Sequence, residues 1–187
     1  MLVMRTLEVA AIVLQVLEEY KKRRGESSIR SMKKLQKLIY FISEKARIRN
    51  ELVYRFHYYG PFSKRVAQAI DILRWLGILE CKKEELGIAD GWIGVIEVKD
   101  EKVAKYIIKK ILNNAEIYKS IKEIVEKLAQ KSARELELLS SVHYLLSRGI
   151  ADEKQQVIDI LREIKPYFSD NEIKTAVEEL RRLKLLN

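Results

Sequence analysis

Few side chains in this 187-residue sequence are suited to catalysis. It has two histidines, His57 and His143, and one cysteine, Cys81, too few for a thiolate zinc site or an intramolecular disulfide. His57 falls in an aromatic extended run, and His143 sits between Val142 and Tyr144 in a helical pattern. Both read as packing residues with satisfied rings rather than as acid–base catalysts. Glu97-Val98-Lys99, with Asp90 seven positions before Glu97, has an acidic-x-Lys form able to hold a divalent metal. An expected hairpin lies between the two acids, and no parallel sheet surrounds them to make them converge, so no metal is assigned. There is no Gly-rich phosphate loop and no Ser-His-Asp set. The reading is therefore a protein that is not an enzyme and has no cofactor.

The chemistry that remains is electrostatic. The chain carries 36 Lys and Arg against 27 Asp and Glu, a net charge of +9. Residues 21 to 55 contain twelve basic side chains and three acidic ones, a surplus equal to that of the whole chain. On a helix over this stretch, Arg30, Lys33, Lys34 and Lys37 fall within about 100° of one another, opposite Met32, Leu35, Ile39 and Ile42. Such a face holds phosphates, or is simply solvated. The next helix places Lys64, Gln68, Asp71 and Trp75 outward, and with Arg65 its first turn would approach base edges, where Lys donates to guanine and Gln pairs with adenine. Against this, Asp71 is unfavourable beside phosphates, Trp75 is large and apolar, and residues 80 to 100 have a net charge of −3. Tyr40, Phe41 and Trp75 lie off the apolar stripes and are assigned to a partner surface. Tyr40 and Phe41 read as meeting another helix, with packing against later helices or a second subunit as the alternative for Trp75.

The elements that would position these residues form a mainly α fold. Helices are expected near 7–22, from Ile29 to Ala46, and from Ser63 to Leu76, where Gly77 stops the third. An extended piece spans Leu52 to Tyr59, and two strand-like runs, Ile78–Lys82 and Trp92–Lys99, are joined by a turn-prone stretch with Gly87, Asp90 and Gly91. Three helices followed by a two-stranded wing is the order of a winged helix-turn-helix. A helical C-terminal domain follows a boundary near Asp100, giving domains 1–100 and 101–187, with helices near 101–113, 116–130, 132–148, 153–165 and 170–184. Phe62–Leu79 recurs as Phe168–Leu186, with Ala69, Leu73, Arg74, Leu76 and Leu79 matched by Ala176, Leu180, Arg181, Leu183 and Leu186. This repeat reads either as a second helix-turn-helix unit without a wing or as two ordinary Ser-capped amphipathic helices.

No stretch reaches 18 uncharged apolar residues and no basic segment precedes the apolar start, so neither a membrane span nor a signal peptide is expected. A lone cysteine fits a cytoplasmic setting, and abundant Lys, Glu, Arg and Ile fit a thermophile.

Two stretches, Lys34-Leu35-Gln36-Lys37-Leu38-Ile39-Tyr40-Phe41 and Tyr58-Tyr59-Gly60-Pro61-Phe62-Ser63, resemble the Panacea (SocA-like antitoxin) and YwgA-like families over about the first hundred residues. Lys165 to Ser169 is also similar to the YwgA-like pattern. The resemblance implies a cytoplasmic helical protein with a winged-helix-like part and no known catalytic residues, and for Panacea proteins an association with toxin neutralisation. The long helical C-terminal half departs from the shorter antitoxins. The functional expectation is a DNA-binding regulator, a homodimer whose partner is duplex DNA. The alternative is a protein-interaction module of antitoxin or adaptor type that binds a toxin or another protein.

Overall fold

The computed structural model describes residues 5–85 and 92–186. Its elements are α1 (Thr6–Arg24), β1 (Ser28–Arg30), α2 (Met32–Lys45), α3 (Arg49–Leu52), α4 (Lys64–Trp75), β2 (Leu79–Glu85), β3 (Trp92–Val98), α5 (Glu101–Ile111), α6 (Ala115–Leu128), α7 (Ala133–Ser147), α8 (Lys154–Ile164) and α9 (Asp170–Arg182). The protein is thus mainly helical, with one antiparallel sheet of order β1-β3-β2.

Two helices form the centre. In α1 every residue from Val9 to Leu17 is buried, and in α2 every residue from Lys34 to Ser43. A helix buried on all sides needs neighbours on all sides, and the later helices supply them. α5 and α6 pack on α1, α6 and α7 pack on α2, and α8 and α9 build outward from α7. The hydrophobic core consequently runs unbroken across Asp100, joining Ile12 and Leu38 to Ile121, Leu139 and Leu161. Asp100 itself caps α5 by accepting from the Val103 amide at 2.9 Å.

The expected second helix begins three residues late. Ile29 is fully buried and pairs with Ile96 in the sheet, so burial in a strand outweighs its place in the helical pattern. The cap is Ser31, whose hydroxyl accepts from the Lys34 amide. The wing-like ribbon thereby gains a third strand. Of the extended piece at Leu52–Tyr59 only Leu52 belongs to a helix, the short α3; Arg55 then bridges Phe62, and a tight turn in which His57 and Gly60 exchange both backbone hydrogen bonds closes the segment. Gly87, Asp90 and Gly91 lie outside the described residues. Glu97 and Lys99 are described, and Lys99 sits between Glu80 at 2.6 Å and Glu97 at 3.7 Å. These acids are occupied by a lysine, and among the described residues no group of three His, Cys, Asp or Glu is placed to hold a metal.

The internal repeat is visible in the backbone. Ser63 and Ser169 both cap their helices, accepting from Val66 and Glu172. Both helices end through a left-handed residue, Gly77 at φ +70 and Lys184 at φ +55, with Ile78 bonding back to Leu73 and Leu185 to Leu180, each at 2.9 Å. Among the described residues no helix is long and apolar enough to cross a membrane.

Candidate functional site

The basic stretch is largely neutralised within the fold. Lys21 pairs with Glu101, Arg23 with Glu19 and Glu126, Lys45 with Glu123, and Lys33 with Glu137. Acids from α5, α6 and α7 have come to the positive segment, which no segment count can foresee. Arg30, Arg47 and Arg55 are exposed and make no ion pair among the described residues.

Two of the four candidate phosphate ligands, both on α2, are corrected by this packing, while Arg30 falls in β1. Lys34 and Lys37 point inward because α6 and α7 cover the face that the wheel left outside. The Lys34 ammonium donates to the Tyr20 hydroxyl at 3.0 Å and to the Ala129 carbonyl at 2.7 Å, where it also favours the negative end of α6. Lys37 is 2% exposed and donates to the Pro61 carbonyl at 2.6 Å. Burial pushes its ammonium down to about 7. Glu137 opposes that shift, and the nearby charges of Lys165 and Lys33 add to it. Arg30 and Lys33 remain accessible, and Lys33 stands 4.3 Å over the Tyr59 ring.

Lys33 leads to a buried hub that sequence reading missed. Glu137 on α7, 1% exposed, receives Lys33 at 2.7 Å on one carboxylate oxygen. Its other oxygen takes Lys165 at 2.7 Å and the Tyr167 hydroxyl. Lys165 is fully buried and also donates to the Tyr58 carbonyl. Burial pushes the Glu137 carboxyl up, but the hydrogen bonds from Lys165, Lys33 and Tyr167 outweigh it and leave it below its ordinary value. The turn at Tyr58–Pro61 fits here only because Gly60 has φ +80 and no side chain. A Cβ there would stand 2.8 Å from the Ser141 hydroxyl. The K-L-Q-K, Y-Y-G-P and K-P-x-F-S stretches therefore meet at one place. Their spacing along the chain carried no sign of it, and the one hint was the lysines that K-L-Q-K and K-P-x-F-S set beside apolar residues.

Tyr40 and Phe41 are corrected as partner-surface residues. Both are buried, packed edge-on to each other and to His143 at 5.3–5.5 Å between ring centres. The partner they meet is α7 of the same chain. The Tyr40 hydroxyl lies 2.8 Å from His143 Nδ1, and the imidazole also bonds the backbone of Leu185, as expected of a neutral ring with one donor and one acceptor nitrogen. Burial pushes His143 down to about 4. Because the unfolded ring titrates near 6.5, the folded state binds fewer protons between these values. Stability from the neutral ring is then complete above pH 6.5 and lost as pH falls toward 4, by about 3 kcal/mol. Urea unfolding at pH 7.0 and 4.5 checks this, and His143→Gln is expected to flatten the difference.

On α4, Lys64, Gln68, Asp71 and Trp75 are all exposed, Trp75 at 86%. Arg65 is half-buried and donates to the Glu51 carbonyl at 2.7 Å, which ties α4 to α3. Asp71 is paired with Arg74 at 3.3 Å. Ile72 and Leu76 are exposed beside Trp75. α4 packs chiefly on α1 and β2, so the later helices leave its outer face open, and Trp75 does not pack on them.

No protein-family model matches the chain. Over 153 residues it is 29% identical to the uncharacterised protein YwgA of Bacillus subtilis, an overlap that covers 81% of this chain and 86% of that protein.

Proposed function

We propose that this chain is a YwgA-like, cytoplasmic binding protein of winged-helix type that is not an enzyme and engages duplex DNA through α4. The observation that carries the reading is the exposed outer face of α4, left open while every later helix packs elsewhere. The order helix, strand, helix, short helix, helix, strand, strand, with β3 central, supports it, since in a winged helix the helix before the ribbon enters the major groove. Lys64 and Gln68 then approach base edges. Arg30 and Arg55, exposed and without ion pairs among the described residues, take phosphates in place of Lys34 and Lys37. α8 and α9, with the helix end repeated from α4, form the wingless second unit.

Two phosphate contacts, from Arg30 and Arg55, predict that log K falls with log salt at a slope of about −2. Fluorescence anisotropy on a random duplex from low to physiological salt measures it, with Arg30→Glu combined with Arg55→Glu expected to bring the slope near zero. No binding at low salt overturns the proposal.

A second reading is favoured by Ile72, Trp75 and Leu76, an apolar group on the same open face. In this reading α4 docks a protein, either a second copy of the chain or a toxin-like partner. Light scattering separates the two readings for the homodimer case: Trp75→Asp turning a dimer into a monomer while duplex affinity is unchanged assigns this end of α4 to self-association.

A further inference from the structure

Arg30, Lys33, Lys34 and Lys37 do converge, on a groove of about 710 Å³ between the N-terminal ends of α2 and α7. Ser31, Gly60, Gly94, Ser132 and the rings of His57, Tyr59 and Phe62 complete its walls, and no acidic residue is among those lining it. Behind it, Lys33 and Lys165 pair with one carboxylate, Glu137, and the buried Lys37 feels its charge without contacting it. Buried charge is costly unless matched, and this cluster holds more positive charge than the protein neutralises. Lys37 is the unmatched member. Its ammonium has three donor positions and, among the described residues, one acceptor, the Pro61 carbonyl. The rings of His57 and Phe62 lie 5.6 Å apart and those of His57 and Tyr59 6.5 Å, forming an aromatic wall. The volume falls within the range of small-molecule sites, and Lys37 lies too deep for a double helix to reach.

We infer that this groove binds a small phosphorylated molecule of nucleotide size, its phosphate held by Lys37, Lys33 and Arg30 and its ring placed against Tyr59 and His57. An anion there supplies the charge that Glu137 alone does not, and the partly exposed Lys33 and Arg30 form the entrance. The groups facing Lys37 are Lys33 on its own helix, Glu137 on α7 and Lys165 after α8. An entering anion is therefore expected to favour the protonated amine, so binding takes up a proton near neutral pH. The site shares Arg30 with the α4 reading but does not require that DNA be bound.

Titration calorimetry with AMP and with sulfate tests it, sulfate serving as a probe whose own charge does not change with pH. Saturable binding of AMP tighter than about 1 mM is expected at pH 6.0, and sulfate binding is expected to weaken roughly tenfold by pH 8.5 as Lys37 loses its proton. Lys37→Met, checked for folding by its thermal transition, is expected to abolish both, and the exposed Arg30→Ala to weaken both severalfold. Duplex affinity is expected to survive Lys37→Met. Absence of saturable binding by either probe at pH 6.0 overturns the inference, as does binding unchanged in folded Lys37→Met. Loss of duplex binding together with sulfate binding in that variant would assign the groove to nucleic acid and also overturn it. Failure of the wild-type protein to bind duplex while AMP and sulfate still bind counts against the α4 reading alone.

Discussion

Glu137→Gln is expected to cost about 3–5 kcal/mol of folding stability, the largest effect of any single substitution considered. The carboxylate is buried and is the shared acceptor for Lys33, Lys165 and the Tyr167 hydroxyl. The amide keeps the shape of the side chain and one acceptor oxygen, but it removes the charge that offsets a fully buried ammonium. Lys165 has no water to turn to, so it must either lose its proton or drag the segment after α8 away from α7. Urea denaturation measures the loss. A double-mutant cycle assigns its origin: Lys165→Met in the Glu137→Gln background is expected to recover part of the stability, because the uncompensated charge is then gone. A loss below about 1 kcal/mol would mean that the hub is solvated and of little structural weight.

The second large effect is expected at Gly60→Ala, at about 2–4 kcal/mol. A non-glycine residue at φ +80 costs on the order of 1–2 kcal/mol by itself. Here the new Cβ would also stand 2.8 Å from the Ser141 hydroxyl, 3.3 Å from that of Ser140 and 3.4 Å from the Glu137 carbonyl. α7 must shift or the turn must open, and either movement disturbs the Pro61 carbonyl that holds Lys37 and the Tyr58 carbonyl that holds Lys165. Gly77→Ala is the control. Its φ is +70, but nothing lies within 4 Å of the added carbon, so about 1 kcal/mol is expected from backbone strain alone. Equal losses at the two positions would show that the approach of the turn to α7 does not constrain the fold.

The sequence was most informative where the signal was local. Ser63 and Ser169 cap the helices they were assigned, Gly77 stops α4, and five helices follow residue 100 near their expected positions. The start of α2 was misplaced because Ile29 suits a helix stripe and a strand equally well, and only its pairing with Ile96 decides between them. Among candidate site residues, the exposure of Lys64, Gln68 and Trp75 was legible from the α4 wheel. The meeting of Tyr40 and Phe41 with another helix was legible from the α2 wheel, but the burial of Lys34 and Lys37 was not, since a wheel shows which side of a helix faces the nearest core and is silent about a second layer placed on the other side.

Composition and periodicity by themselves determined a mainly helical chain, most helix ends, the two-stranded ribbon and the concentration of positive charge in residues 21 to 55. The fate of that charge was decided only in three dimensions. Glu101, Glu123, Glu126 and Glu137 are distant in sequence from the lysines and arginines they neutralise, and Coulomb attraction depends on separation in space rather than along the chain. Among the described residues, what the fold leaves without an ion pair in this stretch is the exposed Arg30, Arg47 and Arg55 and the buried Lys34 and Lys37, of which Lys37 lines the groove.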